Sequence, residues 1–243
     1  MVDSIVAFLE SIGVAKALDQ VEFLMEPGNI LFAIWETLYA PALATVLAYL
    51  IGLPLGVILV TGEENGIHPL PKALMSVLNT LINLLRSVPF LILMVVVMPM
   101  SRLILGTSIG TMATIVPLTV AAAPYVARLV ESSLREMDRG IVEAAQSMGC
   151  STWQIITKVM LPECLPSLIG GATNAAITIL GYGAMAGNIG GGGLGAIALM
   201  RGYGRNQRVV LYVAVIILVI LVQVIQSVGT ALCVKSDKRI SHK

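Results

Sequence analysis

Long apolar runs alternate along this chain with short polar breaks, and the length of the runs sets the fold class. A helix that crosses a bilayer needs about 20 mostly apolar residues. Five stretches meet that length: about Ile34 to Val60, Leu74 to Met100, Ser108 to Val130, Leu165 to Met185, and Val209 to Val234. The pattern predicts an all-α integral membrane protein with five transmembrane helices. An odd number of crossings puts the two termini on opposite faces. Three regions follow: a segment 1–30, a membrane domain 31–235 that includes a long polar loop at about 131–165, and a basic tail 236–243.

Residues 2–30 mix Ile5, Val6, Phe8, Leu9 and Ile12 with Asp3, Glu10, Asp19, Glu22 and Glu26. That suits a short amphipathic helix on the membrane surface, closed by a Pro27-Gly28-Asn29 turn, or else a frayed tail. No basic residue precedes Lys16, which argues against a cleaved signal peptide.

Polar residues inside the apolar runs say which faces avoid lipid. Asn79, Asn83 and Arg86 stand at i, i+4 and i+7, on one helical face that should look inward. Arg86 either reaches the cytoplasmic interface from a helix end or meets substrate. Pro89, Pro117 and Pro124 each remove a helix hydrogen bond and should bend spans two and three, marking them as inner elements. The small residues of "GGATNAAITILGYGAMAG" (170–187) permit close approach of another helix. Asn174, Thr178 and Tyr182 share a face of span four, which is either a route lining or a packing face. Met185, flexible and apolar, is a candidate for an outer gate.

Composition agrees with the runs. The chain of 243 residues is 57% hydrophobic and only 12% charged, against roughly 25% charged in a soluble domain. Net charge is +1 and no basic tract carries interleaved aromatics, so nucleic acid is not an expected partner. Cys150, Cys164 and Cys233 form no CxxC pair and no cluster with His68 or His242, so neither a metal site nor disulfides are expected.

Lys and Arg near span ends mark the cytoplasmic face. The tail carries Lys235, Lys238, Arg239 and Lys243, which places the C-terminus inside and the N-terminus outside. Lys72, Arg128, Arg135, Arg139, Lys158 and the tail then make nine inside, against five outside: Lys16, Arg102, Arg201, Arg205 and Arg208.

Two stretches carry candidate chemistry. In "GNIGGGGLG" (187–195), Gly190, Gly192 and Gly195 fit the G-x-G-x-x-G spacing of a dinucleotide site. Such a site needs an acid about 20 residues on, and the next one is Asp237, 42 residues after Gly195. The second stretch is the loop 131–168, which reads as two short helices, Ile141 to Met148 and Trp153 to Met160. Gly149 ends the first, Ser151 or Thr152 caps the second, and Pro162 follows.

Within that loop, Glu143-Ala144-Ala145, Gly149, Val159, Leu161 and Pro162 resemble the E-A-A-x3-G-x9-I-x-L-P motif of bacterial ABC importer membrane subunits, with Val159 in place of Ile. "NLLRSVPFLILMVVVMP" (83–99), "GTSIGTMATIVPLTVAAAPYVARLVE" (106–131) and "GYGAMAGNIGGGGLG" (181–195) extend the resemblance to the permeases of the methionine-import subfamily. The resemblance implies a type I ABC-importer permease fold in a bacterial inner membrane and a homodimer whose two copies line the route. It implies two ABC ATPase subunits docked at Glu143, Ala144, Ala145, Gly149, Leu161 and Pro162, and an extracytoplasmic methionine-binding (lipo)protein. ATP and Mg would be bound by the partner ATPase. This chain contains no G-x4-G-K-[ST] and is expected to hold no cofactor and to be no enzyme itself. On that topology the glycine run lies on the outer face beneath the binding protein, where positive φ values and close backbone packing explain its glycines.

The rivals are a permease for another small amino acid, a secondary transporter and a membrane enzyme. The second would need an inverted repeat and acids at midplane depth. Spans two to five hold no Asp or Glu away from their ends, and Glu36 sits near the outer end of span one. The enzyme would need convergent His, Cys, Asp or Ser groups, which the chain does not supply.

Overall fold

The computed structural model describes residues 20, 22–24 and 26–237. Most of the segment 1–30 and nearly all of the tail therefore lie outside the described residues. Helix α1 spans Pro27–Thr61. Pro27, Gly28 and Asn29 form its first turn rather than a separate reversal, because a proline at the first helical position gives up no hydrogen bond the helix would have made.

α1 buries a ladder of small residues, Ala33, Thr37, Ala40, Ala44 and Ala48, against helix α4, Thr111–Arg135. The ladder ends in Gly52 and Gly56. A Cβ on Gly52 would sit 2.7 Å from Val126 Cγ1, and one on Gly56 would sit 2.6 Å from Val130 Cβ. Close backbone approach is the packing currency where lipid gives helices no hydrophobic reason to associate. The opposite face of α1 exposes Leu31, Phe32, Trp35, Leu43, Val46 and Leu50, the character of a lipid-facing surface. α4 is the centre of the bundle, buried on most of its circumference.

The stretch 74–100 is not one helix. α2 (Lys72–Ser87) and α3 (Phe90–Leu105) meet at a bend of 109°. The cause is Pro89, which forces Val88 out of the helical region to φ −80°, ψ 127°. Pro117 and Pro124, by contrast, lie within α4 without interrupting it. Within the single chain α4 is the inner element the prolines imply, while α2 and α3 bury few side chains.

The polar loop forms α5 (Arg139–Ser147) and α6, which starts at Thr152–Gln154, continues as a π-helical stretch Ile155–Met160 and closes with Leu161–Glu163. The helix runs on through Pro162 instead of stopping before it. A π-turn ahead of a proline removes the need for the donor that proline lacks. α7 (Leu165–Ala186) packs on α4, α1 and α9. The glycine run follows, with α8 (Gly193–Ala196) and a π-helical stretch Ile197–Tyr203, before α9, Arg208–Ser236. Gly229 lets α9 close on Thr173 of α7.

The contacts define two ends. Gly110 N donates to Gly190 O at 2.8 Å, and Val209 N to Gln20 Oε1 at 3.1 Å, so the starts of α1, α4 and α9 share the glycine end. Arg135 pairs with Glu63, and a crevice joins Lys158 and Pro162 to Ser236 and Asp237, so the ends of α1, α4 and α9 share the loop end. The elbow α2–α3 begins beside Glu64, which pairs with Lys72, and ends just before Gly110. It therefore crosses the bundle once, which makes five crossings, four of them single helices and one a bent pair.

Candidate functional site

At the glycine end, Gly190 (φ +91°) and Gly193 (φ +81°) are left-handed, as a reversal requires. Gly191 N returns to Ala186 O at 3.0 Å, and Gly187 and Gly195 touch the backbone of Ala196 and Ala184, leaving no space for any Cβ. Two neighbours on α1 receive the reversal: Glu36 Oε2 accepts from Gly193 N and Thr37 Oγ1 from Leu194 N, both at 2.8 Å. Thr111 Oγ1 donates to Glu36 Oε1 at 2.6 Å. Gly192 and Gly195 of the dinucleotide spacing are thus taken up by packing against the chain itself, and Gly190 by its left-handed turn. Sequence reasoning passed over Glu36 as a span-end residue. An acid one turn inside an apolar run, beside a threonine, was the available signal.

On α7, Asn174 and Met185 are exposed, and Thr178 donates to Asn174 O at 2.8 Å, the local bond a helical threonine makes without a partner helix. Tyr182 stacks on Phe90 with ring centroids 4.3 Å apart, joining α7 to the bend of the elbow. These residues share a face that this chain leaves largely uncovered.

Toward the loop end, the inward-looking face of α2 is real but its recipient was unforeseen. Arg128 Nη2 on α4 donates to Asn79 Oδ1 at 2.8 Å and Asn83 Oδ1 at 2.9 Å, and its Nη1 to Glu131 Oε2 at 2.6 Å. Glu131 Oε1 accepts from Arg135 Nη2 at 2.8 Å, and Arg135 reaches Glu63 beyond α1. Glu131 is thus a buried acid in the membrane helix α4, satisfied from both sides. Arg86 stands outside this network, exposed at the last turn of α2.

The loop itself is built as its sequence implies. Asp138 caps α5 by accepting from Gly140 N at 2.8 Å, Gly149 turns the chain with φ +77°, and Ser151 with Gln154 forms a capping box on α6. Glu143, Ala144 and Gly149 are exposed, Pro162 too, and Leu161 is half-buried. Ala145 departs from its expected role, because it is only 2% exposed and packs into the chain's own core, holding α5 down. The residues that stand out instead flank the turn: Met148 is 76% exposed and Trp153 73%. A cleft of about 840 Å³ opens behind α5, lined by Glu63, Lys72, Asn79, Arg135, Arg139 and Glu143.

Five crossings with α4 at their centre, a polar loop folded into a protruding helix pair and a closely packed reversal at the far end describe a helical membrane domain. Residues 52–242 match the family of binding-protein-dependent transport system inner membrane components. The chain is 48% identical over 220 residues, 89% of its length and 96% of the relative's, to the probable D-methionine transport system permease protein MetI of Vibrio cholerae. It is 44% identical over 168 residues to the methionine import system permease protein MetP of Bacillus subtilis, covering 69% of this chain and 76% of that one. Among solved structures, one described as inward-facing conformations of the MetNI methionine ABC transporter superposes with a TM-score of 0.82 at 42% identity, over 84% of this chain and 94% of that chain. The chain belongs to the family of binding-protein-dependent inner membrane components, and within it to the branch of the MetI and MetP permeases. It is a multi-pass permease of a bacterial inner membrane.

Proposed function

We propose that this chain is the permease of an ATP-driven importer for methionine. It works as a homodimer, docks one ATP-hydrolysing subunit per copy through α5, Gly149 and α6, and receives its cargo from an extracytoplasmic methionine-binding protein. The observation that carries the docking is the exposed apolar pair Met148 and Trp153 on either side of a left-handed glycine, on a polar helix pair that otherwise caps and satisfies itself. Aromatic and methionine side chains that protrude from a rigid turn are what an interface uses as anchors. Glu143 at the rim offers a charge to an Arg or Lys opposite.

The chain itself hydrolyses nothing in this reading. ATP and Mg stay with the partner, whose closure moves the helix pair and, through it, the bundle. ATP drives import only by favouring one arrangement of the bundle over the other. The ion-pair chain Arg128–Glu131–Arg135–Glu63 makes α4, α2 and the end of α1 answer to the loop end as a unit. The excess of basic residues on the loop side supports a cytoplasmic C-terminus and an outer glycine end. The exposed face of α7, with Asn174, Thr178 and Met185, faces the second copy and the route between them.

The test is reconstitution with the native ATPase and binding protein. Methionine should stimulate ATP hydrolysis and be accumulated, whereas other small amino acids should do neither. Accumulation driven by an ion gradient without ATP would defeat the proposal, and stimulation by a different amino acid would keep the importer but change its cargo.

A further inference from the structure

We infer that Glu36 is a positioning residue for transport. Its carboxylate ties residues 190–194 to α1 and α4, so that the reversal and the Met185 turn before it travel with those helices as one body. The inference rests on the transport reading above and adds a residue to it.

Both oxygens of the carboxylate are committed, one to the Thr111 hydroxyl at 2.6 Å and the other to the Gly193 amide at 2.8 Å. They belong to different elements, so one fork joins three parts of the chain. Thr37 repeats the tie one residue on, accepting from Leu194 N at 2.8 Å while donating to Ala33 O at 2.7 Å. A carboxylate is a costly acceptor in an apolar helix. A neutral acceptor would desolvate more cheaply, and what the carboxylate adds is stronger, charge-assisted bonds from two oxygens at once. No ion pair among the described residues includes Glu36, so the tie is its evident employment.

The socket also excludes alternatives to glycine. A Cβ on Gly192 would fall onto Glu36 and Thr111, and one on Gly193 would lie 2.7 Å from Thr37 Oγ1. The reversal is itself rigid, closed by Gly191 N on Ala186 O and by the Gly187–Ala196 contact. A tie at Gly193 therefore holds the last turn of α7 as well. Without it, only Leu194 N on Thr37 and Gly110 N on Gly190 O tie the reversal to α1 and α4, and the end of α7 that carries Met185 follows them less tightly as the bundle changes shape.

The test uses the full chain assembled with its ATPase in lipid nanodiscs and in vesicles. In Glu36→Ala, hydrogen exchange of peptides containing Gly193 and Leu194 should rise at least about tenfold while α1 and α4 peptides stay unchanged, the signature of a local opening after loss of a charged hydrogen bond. ATP hydrolysed per substrate imported should rise by about the same factor. Glu36→Gln should recover part of both, to within about threefold, because the amide oxygen accepts from Gly193 and the amide nitrogen donates to the Thr111 oxygen, while the charge assistance is lost. Should Glu36→Ala not assemble, Thr111→Val removes one arm of the fork and should give the same direction of change. Unchanged exchange, a changed exchange with unchanged stoichiometry, or no rescue by glutamine would each overturn the inference. If the wild-type assembly imports no methionine, the cargo reading fails, while the exchange and rescue arms still decide the role of Glu36.

Discussion

The two ends of the bundle are both built around glycines in tight reversals, yet they spend them in opposite ways. At the glycine end, Gly187 and Gly195 press backbone against backbone, and Glu36, Thr37 and Thr111 satisfy what the turn exposes. At the loop end, Gly149 has open space where its Cβ would be, and the turn it makes presents Met148 and Trp153 to the outside. One reversal is internal joinery and the other a surface, and a glycine's surroundings, more than its φ, tell them apart.

That contrast is sharpest in paired substitutions. Gly195→Val drives a side chain into the backbone of Ala184, which cannot swing aside, and overpacking of this kind should cost more than about 3 kcal/mol. Folded protein recovered as a single species by size exclusion should fall to near zero. Gly149→Trp meets only the cost of a left-handed residue, about 1–2 kcal/mol. Its yield should stay within about twofold of wild type, while substrate-dependent ATP hydrolysis falls by about tenfold or more as the turn no longer fits its partner. Full hydrolysis in that variant would sink the docking assignment.

Trp153→Ala separates surface from support more gently. Melting of the isolated permease should not move, and affinity for the ATPase should weaken about 30-fold, the size of a single interface anchor worth about 2 kcal/mol. Between the ends lies the arginine network, where a structural role predicts the reverse signature. Arg128→Ala strands Asn79, Asn83 and one arm of Glu131, so the melting temperature should drop by about 5 °C. Lysine there should recover only part of that, since it cannot fork to all three acceptors. The smallest effect expected is at the proposed gate, where Met185→Ala should lower uptake about two- to threefold with membrane abundance unchanged. If uptake and basal ATPase both stay put, Met185 is no gate.

Much of this was legible in the chain, for physical reasons that also mark where reading stopped. Span positions and the helix–turn–helix of the loop follow from run length, Ser151 and Gly149, because these are local rules. The same locality misled on the degree of the bend expected at Pro89, since hydropathy over 74–100 cannot show that the span opens into two arms at 109°. It misled again at Ala145, where the motif's second alanine is turned into the core by the pitch of a nine-residue helix. Glu36 and Arg128 escaped because Gly193 and Asn79 lie 157 and 49 residues from them and only packing brings them together, whereas Glu131, three residues from Arg128 and four from Arg135, was readable as a local pair. The Ala33–Gly56 ladder of α1 was readable by its spacing, just as the small-residue run of α7 was.

The elbow has a consequence for how the protein is made. α3 has 16 residues, and at about 1.5 Å each they reach only about 24 Å, short of the roughly 30 Å hydrocarbon layer. α2 is of equal length and carries Asn79, Asn83 and Arg86. Neither arm is a competent membrane segment by itself. The insertion machinery must therefore accept them as a pair, and although Pro89 sets the corner, α2 can settle only once α4 has arrived with Arg128 to take up the asparagines. Biogenesis of this permease thus waits on its central helix, and a ribosome stalled before α4 should leave the elbow exposed to quality control.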